Sequence, residues 1–401
     1  MTPRPALRIA VLGGSVAGCA MALAAHRAGA SVVVAERSTH RLQERGYGIA
    51  MPPTTIRALA ESGFLDPAMP NHPVTQRIWI VRNPRSTGAE QVLWHQPSPV
   101  ALCNWAILWQ TLRAAITEVD YRAGTWVTDI ETTDDGCAAI VYGNKVTEQF
   151  DLVIGADGYR STVRPAVVPG TAPQPVDYVL WRGTYPESAV PHPVPELDNA
   201  YVTVVFPHGQ AVFYLIPDGR GGRNLNWALY AYPPTPVSAA RFEPDGTDPE
   251  LTSFVERLAA ETLPPRWAEL IAATRTVAIH PIFDLTTTQY TRGPFVLAGD
   301  AGALARPHTA SGAVKALDDA RCFHEALRVT SSPTAALAFY DRQRCPAGNR
   351  LTLLGRRIGR DQIETPPHWS DMNAATMHAF TQHTLDGTTH YLYTDTSVSE
   401  V

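Results

Sequence analysis

The chain has 401 residues, enough to bury a large core as one large domain or two smaller ones. Its 45% apolar and 18% charged content is that of an ordinary globular protein, and a net charge of −5 offers no electrostatic footprint for nucleic acid. No apolar run reaches the roughly 20 residues that cross a bilayer, so stable membrane association is not expected; residues 17–30 come nearest and are broken by His26 and Arg27.

The first residues run straight into a glycine turn, with no apolar segment and cleavage site of a secretory signal. The five cysteines (Cys19, Cys103, Cys137, Cys322, Cys345) are far apart, with no metal or redox spacing. They read as reduced thiols of a cytoplasmic enzyme.

Residues 7–36, "LRIAVLGGSVAGCAMALAAHRAGASVVVAE", read as a strand (9–12), a turn, a helix (about 17–28), a stop at Gly29, and a strand (31–35) ending at Glu36. This βαβ unit meets the dinucleotide fingerprint at Gly13 and Gly18, but Ser15 takes the middle glycine position and Gly14 beside it supplies the conformational freedom. The turn Gly13, Gly14, Ser15, Val16, Ala17, Gly18 brings a helix N-terminus, with free N–H groups and a positive dipole end, to a pyrophosphate. Gly18 allows close helix–strand packing, and Glu36 is placed to accept from a ribose. The unit alone does not choose between FAD and NAD(P).

Further on, "RIWIVR" (77–82) and "QVLWH" (91–95) read as short strands, and "WQTLRAAI" (109–116) lies in a helix. "DLVIGADGYRSTVR" (151–164) is an apolar strand running into Asp157 and Gly158. Residues 168–238 are punctuated by proline and rich in β-prone runs such as "YVLWRGTY" and "AVFYLI", a sheet with long connections. "GPFVLAGDAGALARPHTASGAVKALDDARCFHEAL" (293–327) is a strand ending in Gly299 and Asp300, a loop holding Pro307 and Gly312, and an amphipathic helix. Asp318 and Asp319 on it read as solvated or capping. Beyond about 366 the chain is polar and reads as a peripheral helix with a loose tail.

Taken in order, "LGGSVAG", "GADG" and "GD…PHTASG" resemble the class A flavoprotein monooxygenases, the fold group of para-hydroxybenzoate hydroxylase, over residues 7–330. Within that family "GGSVAG", "YVLWRGTY" and "ARPHTASGAVKALDDAR" look most like the 2,6-dihydroxypyridine 3-hydroxylase group. The resemblance implies an α/β fold, a Rossmann-like FAD-binding domain with a mixed-sheet substrate domain. The FAD domain is expected at residues 1–75, 100–172 and 280–365, the substrate domain at 76–99 and 173–279, and a helix and tail at 366–401.

It also implies roles. Glu36 binds the adenosine ribose, Asp300 the ribityl chain, and the loop from Pro307 to Gly312 lies by the isoalloxazine with the next helix aimed at its N1–C2=O edge. Asp157 and Gly158 belong to a motif tied to FAD and pyridine-nucleotide contact. Arg45 sits on a mobile loop flanking the flavin. Arg37, Val127, Gly299 and Ala313 complete the cofactor set, and the family links the Asp-Ala pair at 319–320 to packing near FAD. The family often has an arginine at the start of the helix containing "WQTLRAAI"; this chain is assigned Trp109 there, with Gln110 taking over polar contact.

The expected activity is hydroxylation of an electron-rich aromatic or N-heteroaromatic small molecule by FAD, O₂ and NADH or NADPH, through a flavin C4a-hydroperoxide. No second Gly-rich βαβ unit is present for the nicotinamide nucleotide, which fits transient binding. The same fold also supports epoxidation, Baeyer–Villiger insertion or other oxidative tailoring, a flavin reductase without oxygen transfer, or a non-catalytic binding module. Substrate candidates are Trp181, Arg182, Phe213, Tyr214, Asn226, Trp227, His280, Phe283 and His308, with Tyr214 and His280 proposed for substrate deprotonation or orientation. A monomer and a homodimer are both compatible with the sequence.

Overall fold

A computed structural model describes residues 6–39, 47–234 and 249–393. Arg45 therefore lies outside the described residues.

Two sheets organise the chain. The first has six strands in the order Thr291–Arg292, Phe295–Leu297, Leu152–Gly155, Arg8–Leu12, Ser31–Glu36, Asp120–Ala123. All pair in parallel except the edge strand Thr291–Arg292. The central strands are buried on both faces, which is why they read as continuous apolar runs and not as alternating patterns. The helix Val16–Arg27 covers one face and packs on the helix Gly312–Val329. Leu12 is level with both Ala35 and Gly155, and Gly155 with Leu297. The turns that follow these strands therefore open at one edge of the sheet, the place where open α/β sheets bind ligands.

The second sheet has eight strands in the order Ala278–Asp284, Gln174–Pro186, Arg223–Ala231, Gly209–Pro217, Ala200–Phe206, His72–Arg82, Glu90–Asn104, Gly48–Met51. It is antiparallel apart from the pairing of Ala200–Phe206 with His72–Arg82. One face is sealed by the helices Pro249–Thr262 and Pro265–Ala272 over a core that includes Trp181, Phe213, Trp227 and Trp267. This sheet takes in 48–51 and runs from 72 to 104, so it reaches beyond the 76–99 segment assigned to it from sequence. A separate three-stranded antiparallel sheet (Val127–Thr132, Ala138–Tyr142, Thr147–Phe150) packs against the first, its Ala138, Ile140, Tyr142 and Phe150 sharing that core.

Residues 366–393 depart from the expectation of a loose tail. After the helix Ala374–Leu385, capped by Asn373 and Thr376, the chain turns inward and buries His390, Leu392 and Tyr393. The Leu392 carbonyl accepts from Gln96 Nε2 at 2.9 Å, which ties this segment to the second sheet. The composition is polar, but the few apolar residues land together. Residues 394–401 lie outside the described set.

Candidate functional site

A cavity of about 1030 Å³ lies between the two sheets, at the upper end of the range for ligand pockets. One end is the glycine turn. Gly13 has φ +96°, and a Cβ there would sit 2.4 Å from the Ala156 carbonyl oxygen, so the first turn rests directly against the Asp157 strand end. A Cβ on Gly18 would come within 1.7 Å of the Gly13 oxygen, which explains the glycine at the last fingerprint position. Ser15 is the N-cap of Val16–Arg27 and makes no side-chain capping bond, so the helix's first N–H groups stay open toward the cavity. Ser15, Val16 and Ala17 line it, whereas Gly14 and Gly18 stand behind it.

Glu36 lines the same end. Its Oε2 accepts from the Gly14 N–H at 2.6 Å and its Oε1 from the Ser38 N–H at 2.7 Å. The carboxylate thus braces the turn while its remaining lone pairs face the cavity. Arg37 and Val127 also line this end. Trp109 does not: its Nε1 donates to the Gly14 carbonyl at 2.8 Å, holding the turn from behind. The helix containing it begins at Trp105, and Trp105 is the tryptophan of that helix that lines the cavity. Gln110 is exposed and outside the cavity, so its assigned polar contact is corrected. Its position faces away because Trp109 and Leu112 occupy the buried side of the helix.

Three aspartates shape the middle. Asp157 lines the cavity, its Oδ2 accepting from the Thr162 N–H at 2.6 Å. Among the described residues its Oδ1 is buried without a hydrogen-bond partner, an acceptor that a ligand donor would satisfy. Burial raises its carboxyl pKa. Asp300 opens into the cavity, and surrounding protein raises its carboxyl pKa despite the nearby Lys315 ammonium. Asp319, expected at the surface, is fully buried. It accepts from the Gly299 N–H at 3.0 Å, Lys315 Nζ at 2.8 Å and Arg344 Nε at 2.7 Å. Lys315 Nζ also donates to the Gly299 carbonyl at 2.7 Å. This network holds the Gly299–Asp300 turn from below, and the reading of Asp319 as solvated is corrected. A helix position carrying one carboxylate is surface by default; here Lys315 one turn earlier and Arg344 from the next helix make it core.

The loop Pro307–Thr309 leads to Ala310, which adopts the left-handed region at φ +48°, and then to the helix at Gly312. Pro307, Gly312 and Ala313 line the cavity. A Cβ on Gly312 would meet nothing within 4 Å, and the N-cap Ser311 makes no capping bond, so a second helix N-terminus opens there. Ser311 Oγ instead donates to the Thr309 carbonyl at 2.7 Å and meets His390 Nε2 at 2.9 Å. Tyr391 Oη lies 3.1 Å from both the Ala50 and the Ala310 carbonyl oxygens. The inward-turned C-terminal segment thus clamps this loop, a role that nothing in its local composition signals.

The other end of the cavity is the face of the second sheet opposite its two covering helices. Period-two alternation decides its lining: Leu180 and Arg182 face in, as do Gln210, Val212 and Tyr214, and Ala228 and Tyr230. Trp181 and Phe213 consequently face the opposite side, fully buried under the two helices, and are corrected from substrate contacts to core. Trp227 joins them, with its Nε1 on Thr274 Oγ1 at 2.7 Å. His280 is level with Leu180 but on the edge strand beyond the cavity wall, its ring edge-on to Tyr47 at 5.5 Å. It is therefore corrected from a substrate-deprotonating group to one outside the chamber.

Arg182 Nη2 donates to the Gly48 carbonyl at 3.0 Å, and Asn226 Oδ1 accepts from the Gly48 N–H at 2.9 Å. Together they hold the Gly48 end of the strand Gly48–Met51. Tyr214 lies against Gly48, where a Cβ would sit 2.2 Å from its ring. Burial raises the Tyr214 phenol, so it is a neutral hydrogen-bonding group and not a base at ordinary pH. His308 is buried and stacked on Tyr230 with centroids 4.3 Å apart. Gln210 Nε2 meets its Nδ1 at 3.2 Å and the Tyr178 hydroxyl its Nε2 at 2.8 Å. Burial, aided by the Arg306 and Arg77 charges, lowers its pKa to about 3. Sequence reasoning missed Arg77, Gln210, Tyr230 and Leu392 in this chamber; alternation in phase with Arg182 was the available signal for those on the sheet.

Two helix N-termini, a brace of carboxylates and one long cleft between them suit a dinucleotide bearing a second ring system. The sequence pattern of the family described as "FAD binding domain" matches residues 6–353. This chain belongs to the FAD binding domain family. It is 27% identical over 376 residues to 3-hydroxybenzoate 6-hydroxylase of Klebsiella oxytoca, covering 88% of each chain. Its fold is similar to that of 2,6-dihydroxypyridine-3-hydroxylase from Arthrobacter nicotinovorans (TM-score 0.80, 21% identity, 91% of this chain and 95% of that one). It is also similar to Klebsiella pneumoniae HpxO complexed with FAD and uric acid (TM-score 0.75, 21% identity, 93% of this chain and 92% of that one). As in the family, FAD is the cofactor, and the residues present fit it: the open helix starts at Ser15 and Ser311, the Glu36 lone pairs and the unsatisfied Asp157 Oδ1.

Proposed function

We propose that this protein is an NAD(P)H-dependent FAD monooxygenase that hydroxylates an electron-rich aromatic or N-heteroaromatic ring. The observation that carries the reading is the continuity of one cavity from the glycine turn to a chamber walled by Tyr201, Tyr214, Tyr230 and His308. A dinucleotide-only module would need the first half alone. The names of relatives, which include a hydroxybenzoate hydroxylase, support the same reaction class. In this reading the six-stranded sheet and its helices form the FAD-binding part and the eight-stranded sheet the substrate part.

Bound FAD, reduced by a nicotinamide nucleotide, supplies the activation of O₂. The chain's own residues do the rest. The N-terminus of Val16–Arg27 receives the pyrophosphate, Glu36 the adenosine ribose and Asp300 the ribityl hydroxyls. The N-terminus of Gly312–Val329 offers orphan N–H donors and a partial positive charge to the cavity, which would stabilise the negative charge that flavin gains on reduction. The aromatic walls hold the substrate ring and exclude water. Tyr214, protonated at neutral pH, orients a ring hydroxyl by hydrogen bonding.

The test is a screen of NADH and NADPH oxidation by the flavin-loaded protein over phenols, hydroxypyridines, indoles and quinones, with product masses measured. A substrate-stimulated rate with a product heavier by one oxygen atom is expected. Reduced products without added oxygen would establish the reductase alternative.

A further inference from the structure

We propose that the substrate carries an anionic group, a carboxylate or its equivalent, and that Arg77 receives it at the sheet end of the chamber. This rests on the monooxygenase reading above.

The charges around the cavity are unevenly placed. Its acidic side chains, Glu36, Asp157 and Asp300, all belong to the cofactor end. The sheet end holds arginines. Arg306 is neutralised by Asp284 at 2.9 Å and by Glu364. Arg182 is engaged with the Gly48 carbonyl. Arg77 is different. It is 3% exposed, yet among the described residues no carboxylate lies within ion-pair distance. Its Nε donates to Thr203 Oγ1 at 2.8 Å, which orients the guanidinium and leaves the Nη groups without an acceptor among the described residues.

Aromatic faces surround it: the guanidinium carbon lies 3.6 Å from the Trp79 ring centroid, 5.7 Å from Tyr201 and 5.4 Å from Tyr393. Such contacts offset part of the desolvation of a buried cation, but not the whole. A ligand anion supplies the rest, and a guanidinium with its two terminal nitrogens open matches a carboxylate in a bidentate pair.

Position separates Arg77 from Arg182. They stand on different strands, four ladder steps apart in the sheet order. Arg182 spends Nη2 on the Gly48 carbonyl and keeps only a buried, unpartnered Nε, whereas among the described residues both terminal nitrogens of Arg77 are open. Around Arg77 the wall is aromatic and apolar, with Tyr201 level with it on the next strand, and Leu392 and Tyr393 from the C-terminal segment. An apolar slot closed by one uncompensated cation fits a flat aromatic acid entering charge first, its ring directed back toward His308 and the cofactor end. The Arg77 charge is felt at His308, which places the two in one electrostatic compartment.

The test uses flavin-loaded protein and absorbance titration of the bound FAD. Hydroxylated mono- and bicyclic aromatic acids are each compared with their primary carboxamide, beginning with 3-hydroxybenzoate and 3-hydroxybenzamide. At least one acid should bind about tenfold or more tighter than its amide. Arg77→Met should bring that ratio to parity while leaving amide binding in place. Arg77→Lys keeps the charge without the fork, should retain part of the preference, and carries the test if the Met variant does not fold. A panel in which no acid outbinds its amide overturns the proposal, as does a ratio unchanged in both variants. Acid preference without any oxygenated product keeps the Arg77 assignment and removes the monooxygenase reading; oxygenation of neutral rings alone does the reverse.

Discussion

Replacing Asp319 with alanine should destabilise the protein far more than an ordinary helix substitution and should release its flavin. Asp319 is the single acceptor shared by the Gly299 N–H, Lys315 and Arg344, whose side chains are 4% and 15% exposed respectively. Removing one partner of a buried pair costs about 3–5 kcal/mol, because an uncompensated charge stays behind. The orphaned Gly299 N–H adds about 1–3 kcal/mol. These losses share one carboxylate and do not add fully, so about 4–6 kcal/mol is expected, a large part of the stability of a typical fold. Asp319→Asn keeps one acceptor oxygen in place and should lose roughly half as much. Urea unfolding followed by tryptophan fluorescence measures the stability, and FAD retained through gel filtration reports the turn. Because Gly299 precedes Asp300, cofactor affinity should fall by about tenfold or more even under conditions where the variant is folded. An alanine variant within about 1 kcal/mol of the parent, with full FAD retention, would refute the argument that this network holds the turn.

Two further outcomes follow from the site. Gly18→Ala places a Cβ 1.7 Å from the Gly13 oxygen, so the turn must shift; the variant should purify with little FAD, and normal flavin content would show that the turn relaxes freely. His308 and His390, buried and neutral with pKa values of about 3 and about 4, charge only in the unfolded chain between those values and about 6.5. Their contribution is complete above about pH 6.5 and is lost as pH falls; at pH 5 the two together cost about 4 kcal/mol. Thermal melts from pH 7.5 to 5 should show that decline, reduced by about half in His308→Gln, and a flat profile would contradict it.

The cofactor half of the site was legible in the sequence because it is built locally. A strand, a glycine turn and a helix N-terminus are consecutive residues, and Gly13, Asp157 and Asp300 each follow a short apolar run that has few alternatives to a buried parallel strand. Backbone constraints at Gly13 and Gly18 leave a mark in residue type. The chamber half was only partly legible. Trp181 and Arg182, or Phe213 and Tyr214, are neighbours in sequence, and only the packing of helices on one face decides which of each pair meets a ligand. The sequence by itself determined the flavin cradle and the order of its parts. The burial of Asp319, the docking of Tyr391 on the flavin-side loop and the isolation of Arg77 were decided by tertiary structure, because each depends on which distant partner fills, or fails to fill, the space beside a single side chain.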